Sequence, residues 1–374
     1  MATHDNTINH ARSASIIRSI VKHNIFIPCA FLILLLLINI FINPGFLKVS
    51  MGTDSNGHPV LIGNLINILS NATELVILAI GMTLVTASSK GQDISVGATL
   101  AISGGVVMRV LCGNETQPSS LHAPIIVALL LGCLAGMACG AFNGILVSRF
   151  KIQPMIATLI LFTAGRSIAS MAMGGLKPKA VSSFGYYGNF IPGFPIPTPI
   201  LITVLVIIIT MLVLKFTNLG LYTRAVGVNA KASSLNGLNP SLIKFLTFVV
   251  LGLCVGIAGF VQSSRVQTVN PFTIVPSIEM DVILAVALGG NSLGGGKFNM
   301  TGSIIGAYTI QTLTSMLMTL NVNTNAVPVF KAAIIVILVV IQAPIVKAFF
   351  SALMADLKSK NNRGKGDDTY VVVE

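Results

Sequence analysis

The sequence predicts an all-α integral membrane protein of about ten transmembrane helices, some of them broken, with both termini cytoplasmic. Three observations predict it. Of 374 residues, 53% are hydrophobic and only 9% are charged, with a mean hydropathy of +0.87, whereas a soluble domain carries roughly 25% charged residues. A chain this poor in charge cannot coat itself for water, so its solvent is lipid. Apolar runs such as 25–42 and 199–214 approach or reach the roughly 17–25 residues needed to cross hydrocarbon. Basic residues collect in alternate connections, as the positive-inside rule requires. No strand alternation recurs at the roughly 10-residue spacing of a membrane barrel. Helices are then left to satisfy the backbone in lipid.

Residues 1–24 form a polar, basic tail. The first span, 25–42, follows Arg12, Arg18 and Lys22. It is too long for a cleaved signal, and Asn43-Pro44-Gly45 follows it instead of a small-residue cleavage site. The second span is broken, with a short amphipathic piece at 61–70 and a continuation at 74–86. Further spans are predicted at 96–111, 124–147, 155–173, 199–216, 242–262, a short one at 278–288, then 301–320 and 327–346. A basic tail, 347–374, follows. The segment 25–346 is thus one membrane domain, and 217–241 is its longest cytoplasmic connection.

Charge tests the count. With the N-terminus inside, the inner segments hold 16 Lys and Arg residues and the outer ones 6, with Arg166 inside a span. Adding or removing one span would spoil that bias. The net charge of +12 is accounted for in this way, so no nucleic-acid partner is expected.

Two Gly-rich polar knots interrupt the apolar pattern, at 91–97 (GQDISVG) and 289–296 (GGNSLGGG). Irregular backbone at membrane depth is tolerated where it is buried in protein or lines a wet cavity. The alternative is an ordinary cytoplasmic turn. The second knot is no phosphate loop: Asn291 stands where that motif needs Gly, and Phe298 where it needs Ser or Thr. Four acids lie in or beside the apolar runs: Glu74, Asp93, Glu279 and Asp281. Intramembrane carboxylates mark function by default, but three of these stand at span ends, and pairing with Arg166 or another base is the structural alternative.

Catalytic chemistry is not indicated. The five histidines fall in the tail or in outer loops, and no Ser–His–Asp set or metal cluster converges in sequence. The five cysteines have no paired spacing and read as small core residues, with no metal and no disulfide expected.

Five ordered stretches carry a resemblance. Gly81–Val85 leads into Gly91-Gln92-Asp93-Ile94-Ser95-Val96-Gly97, which is similar to a GGIDLSVG signature. Asn143-Gly144 with 152–158 and Arg166 looks like an "NG…I-P-x-I-A-T-L" turn. Residues 224–237 are similar to an "AxGxNxxAAxxSGI" cytoplasmic loop. EMDVILAVALGGNSLGGG at 279–296 is similar to "ELDAIAAVVLGGTSLxGG", and GSIIG at 302–306 ends that block. Together they resemble the membrane permease subunits of ATP-binding-cassette (ABC) importers for ribose, galactose and related sugars. Lys90 and Gln92 depart from the pattern, standing where Gly and Ile are usual.

The resemblance implies a non-enzymatic, multi-pass subunit of the cell membrane that moves a monosaccharide or related small polar solute inward by alternating access. It implies a cytoplasmic ATPase partner that holds the ATP and Mg, with no cofactor on this chain. An extracellular or periplasmic sugar-binding protein and a second permease chain are the other partners. Arg224, Ala225, Gly227, Asn229, Ala232, Asn236 and Gly237 then form the ATPase-coupling loop. Gly91, Gln92, Asp93, Ser95, Gly97, Asn143, Arg166, Glu279, Asp281, Gly289, Gly290 and Asn291 line the pathway or form structural knots. The other reading of the residues is an ion-coupled secondary transporter or channel built on Asp93, Glu74 or Asp281.

Overall fold

The computed structural model describes residues 26–53, 57–323 and 326–342, and the tails expected at 1–24 and 347–374 lie outside the described residues. Among the described residues there are thirteen α-helices and one small antiparallel hairpin. The chain divides into two compact units, Met1–Thr319 and Leu320–Glu374. The second unit contains the last helix, Val327–Gln342, and the rest of the described elements belong to the first.

In the first unit α1 (Phe26–Ile42) is followed by β1 (Ser50–Thr53) and β2 (Pro59–Ile62), then by α2 (Asn64–Asn71) and α3 (Thr73–Ser89). Here the structure corrects the expected amphipathic piece at 61–70. Its first residues belong to β2, which pairs with β1 from Thr53↔Pro59 to Ser50↔Ile62. Helix begins only after Gly63, whose φ of 159° ends the strand. The break in the second span is real: α2 and α3 meet at an angle of 41°.

α3 is the hub. Its sequence TELVILAIGMTLVTASS is mostly apolar, and all of its residues are buried, as expected of a helix walled in by others. Around it stand α7 (Thr198–Phe216), α8 (Leu219–Val228), α10 (Pro240–Val266), α11 (Ile278–Leu288) and α12 (Met300–Thr319).

α10 is longer than the expected 242–262. Pro240 suits its first turn, and the Asn239 side chain caps it by accepting from the Leu242 amide at 3.1 Å. Its length brings Arg265 into the last helical turn. α10 packs most closely against α5 (Ile125–Ser148). The reason is a column of glycines, Gly136, Gly140 and Gly144, set against Gly252, Gly256, Phe245 and Phe248. A Cβ at Gly256 would lie 2.5 Å from the Cys133 Cα, and one at Gly252 2.9 Å from the Met137 Cα. Small residues permit this approach where lipid supplies no hydrophobic drive. α4 (Val96–Cys112) closes the group, with Ser103 Oγ donating to the Gly132 carbonyl at 2.9 Å. α6 (Pro154–Ala172) lies against α4.

Helices α5, α6, α7 and α10 are each long and apolar enough to cross a membrane, and the bent α2–α3 pair makes a fifth candidate. In its most apolar stretch α10 is 56% buried and α7 only 11%, so α10 is an inner helix and α7 presents its side chains outward. α11 has 11 residues. At 1.5 Å per residue it covers roughly 16 Å, about half of a hydrocarbon core. Its bounds are those expected, 278–288. The long connection expected at 217–241 holds two helices, α8 and α9 (Ala230–Leu235).

Candidate functional site

The site is a junction where three stretches far apart in sequence meet at one end of the bundle. The first is the end of α3. Its helix stops at Lys90, which adopts a left-handed conformation (φ 59°, ψ 34°), a backbone that costs a non-Gly residue roughly 1–2 kcal/mol. The Gly usual in the resembling signature would hold it without strain. Near that end Ser88 Oγ and Ser89 Oγ both donate to the Val85 carbonyl, at 3.2 and 2.7 Å.

The second stretch is the knot at 289–296. Its Gly296 amide donates to the Ala87 carbonyl at 3.1 Å, capping α3 from outside. A Cβ at Gly295 would sit 2.7 Å from Lys90 Cγ. Gln92 Nε2 donates to the Leu293 carbonyl at 2.9 Å, which joins the two knots directly.

The third stretch is the loop at 217–241. Gly227 in α8 is buried, and a Cβ there would collide with the Ala87 carbonyl oxygen and stand 2.8 Å from the Gly296 nitrogen. Only Gly lets α8 seat on both other stretches at once. Lys90 Nζ reaches back to the Val228 carbonyl at 3.4 Å. At Asn229 the chain turns extended (φ −150°, ψ 98°), and the Asn229 side chain caps α9 by accepting from Ala232 N at 3.0 Å. Gly237, at φ 81°, lets the chain leave α9. Arg224, Ala232 and Asn236 do not enter the junction. They stand on the exposed face of α8 and α9 beside a groove of about 570 Å³, which Leu221, Ala225 and Val228 also line.

Each knot is closed by its own polar network. In the first, Asp93 Oδ1 accepts from the Ser95 amide at 2.7 Å and from Ser95 Oγ at 2.6 Å. Asn143 Nδ2, from α5, donates to Asp93 Oδ2 at 3.1 Å and to Ser95 Oγ at 2.9 Å. All three side chains are buried, and the cluster fixes the start of α4. In the second, Asn291 Nδ2 donates to Ser303 Oγ at 2.8 Å and to the carbonyls of Val286 and Asn299, each at 3.2 Å. Asn291 Oδ1 accepts from the Asn299 amide at 2.7 Å. Gly289 lies backbone to backbone with Gly302, so close that a Cβ would be 2.5 Å from the Gly302 carbonyl carbon. Gly290, at φ 84°, turns the chain out of α11.

A separate cluster lies where the first turns of α4 and α11 meet. Gly97 touches Glu279, leaving no room there for a Cβ. Glu279 and Asp281 occupy the first turn of α11, where the helix dipole favours negative charge. Arg166 donates to the carbonyls of Pro271 and Ile274, at 2.7 and 3.4 Å, in the stretch leading into α11. Glu74 pairs with Arg265 at 3.1 Å, and Arg265 also grips Asn71 and the Ser70 carbonyl at 2.9 and 2.8 Å.

Sequence reasoning missed three contributors. Arg265 is one: it lies past the expected end of the span at 262, in the last turn of α10. Asn299 is another: its Nδ2 donates to the Gly289 carbonyl at 2.9 Å and its Oδ1 accepts from Gly302 N at 3.1 Å. An Asn just before a helical run is a capping signal that points to it. Thr83 is the third, donating at 2.6 Å to Ser303 from a stretch that reads as plain apolar helix.

Comparison with known proteins supplies the context. The family described as "Branched-chain amino acid transport system / permease component" matches residues 64–341. The fructose import permease protein FruF of Bifidobacterium longum is 34% identical over 84% of this chain and 86% of its own length. The galactofuranose transporter permease protein YtfT of Escherichia coli is 36% identical over 83% of this chain and 87% of its own. The ribose import permease protein RbsC of E. coli is 32% identical over 75% of this chain and 86% of its own. No solved structure matches.

Proposed function

The chain belongs to the branched-chain amino acid transport system / permease component family, and from that premise we propose that it is the membrane subunit of an ABC importer for a monosaccharide or related small polar solute. The relatives named for fructose, galactofuranose and ribose favour a sugar. In this reading the chain crosses the cell membrane ten times with both termini inside, pairs with a second permease, and receives solute from an extracellular binding protein. Two ATPase subunits carry the nucleotide and metal and dock on 217–241.

The observation that carries the reading is the seat of Gly227 on Ala87 and Gly296. A push on α8 reaches the end of the fully buried α3 and the knot that follows the half-length α11 without any intervening side chain. Elements built to shift between two arrangements are what alternating access requires. The solute path would then run past Gly97, Glu279 and Arg166, where the starts of α4 and α11 face each other.

An ion-coupled carrier draws less support, because Asp93 is consumed by Ser95 and Asn143, and Glu74 by Arg265. Proteoliposomes carrying the chain with its ATPase and binding-protein partners test the reading. Gly227→Ala should lower ATP-dependent sugar uptake about tenfold or more, and exposed Arg224→Glu should weaken ATPase capture without unfolding the chain. Full uptake in both variants would remove the coupling role from this loop. Uptake by the purified chain alone under an ion gradient would establish the carrier instead.

A further inference from the structure

A second cavity opens beside the junction, and although Ala230, Lys231, Ser234 and Pro240 of the 217–241 loop line part of it, the import reading assigns it no ligand. Lys90, Lys151, Lys231 and Lys244 line it, contributed by the end of α3, the α5–α6 turn, α9 and the start of α10. Its volume is about 730 Å³, within the roughly 300–1,000 Å³ of small-molecule sites. No Asp or Glu lines it. None of the four lysines belongs to an ion pair among the described residues. Lys90 and Lys244 are near enough to repel each other.

Two further features favour an anion there. The starts of α6 and α10, helices of 19 and 27 residues, both open onto the cavity through Pro154 and through Pro240 and Ser241. The positive end of each helix dipole therefore faces the cavity, while the two prolines offer no N–H and Asn239 already takes the Leu242 amide. Lys151 holds a left-handed backbone conformation, φ 58°, which directs the α5–α6 turn at a cost in strain.

We propose that this cavity binds a phosphate group, carried either by a soluble phosphomonoester or by a phospholipid headgroup. Compact ammonium groups on flexible stems suit a multiply charged phosphate. Bound there, it would bridge α9 to the α5–α6 turn and to Lys90, and so hold the loop of the junction in one position. The binding itself does not rest on the transport reading.

The test uses the purified full-length chain in lipid nanodiscs. In neutral phosphatidylcholine discs, inorganic phosphate is titrated calorimetrically. In discs holding about 20% phosphatidylglycerol, native mass spectrometry counts retained anionic lipid. Saturable binding in the first arm identifies a soluble phosphate source, and selective retention in the second a headgroup. Either binding should weaken about tenfold or more in the pair Lys151→Gln with Lys231→Gln, the scale of one charge-assisted hydrogen bond. It should persist with Arg at both positions, and with Lys177→Gln and Lys179→Gln outside the cavity. Absence of binding in both arms, or equal binding by the Gln pair, overturns the proposal. So does loss of ATPase capture alone in the Gln pair, which would make the lysines a protein-docking surface.

Discussion

The first knot holds its backbone with a buried carboxylate, Asp93, while the second uses the amides of Asn291 and Asn299 and sets glycine against glycine. The difference follows from what each must satisfy. The start of α4 offers N–H and O–H donors, so an acceptor-only group suffices. The second knot lies between the end of α11, which offers carbonyls, and the start of α12, which offers amides. Only a side chain that both donates and accepts can serve the two, and Asn does. The first knot is spared that double duty because Gly296 of the second caps α3 on its behalf.

The comparison can be broken or sharpened in order of expected effect. Gly289→Ala presses on the backbone of Gly302 and Ser303, which cannot yield, and should cost about 3 kcal/mol or more. Gly91→Ala meets the Pro154 ring, a side chain and not backbone, at 2.9 Å, and should cost less, about 1–2 kcal/mol. Denaturation of the two variants in detergent measures both, and equal losses would erase the distinction. Asn291→Asp replaces a donor that serves three acceptors with a group that repels them, and should cost about 2–3 kcal/mol. The reciprocal Asp93→Asn loses only the contact with Asn143, and about 1 kcal/mol is expected. A milder Asn291→Asp than Asp93→Asn would contradict the donor argument. Gln92→Ala removes the link to Leu293 and should cost about 1 kcal/mol; a larger loss, with both knots affected in hydrogen exchange, would show that they fold as one unit. Smallest of all, Lys90→Gly relieves the left-handed turn and should raise stability by about 0.5 kcal/mol. A loss there would mean that the contact to Val228 outweighs the strain.

Much of the fold was legible because lipid forces a local signal. α11 stands at its expected bounds, since Ser277 and Gly289 punctuate an apolar run. The ends of α10 were less legible: its last residues lie past the expected end at 262, yet Ser264 and Arg265 are held there by the Phe184 carbonyl and Glu74, contributed by distant segments, and Ser263 by the Gly259 carbonyl of its own helix. The β1–β2 hairpin escaped notice because short strands outside the apolar runs leave no periodic trace. The knots themselves stood out by composition, and Gly227 by resemblance. Their meeting did not, because it depends on pairings such as Gln92 with Leu293 that no local pattern encodes.

The glycine column between α5 and α10 has a bearing on how the chain is made. The whole stretch 149–239 separates the two helices, so synthesis delivers α5 long before its partner. Until α10 arrives, the notched face of α5 has nothing to fill it but acyl chains. Closure of that seam is therefore a late, long-range event. A chain halted before residue 240 would carry an open groove that distinguishes an unfinished molecule from a finished one.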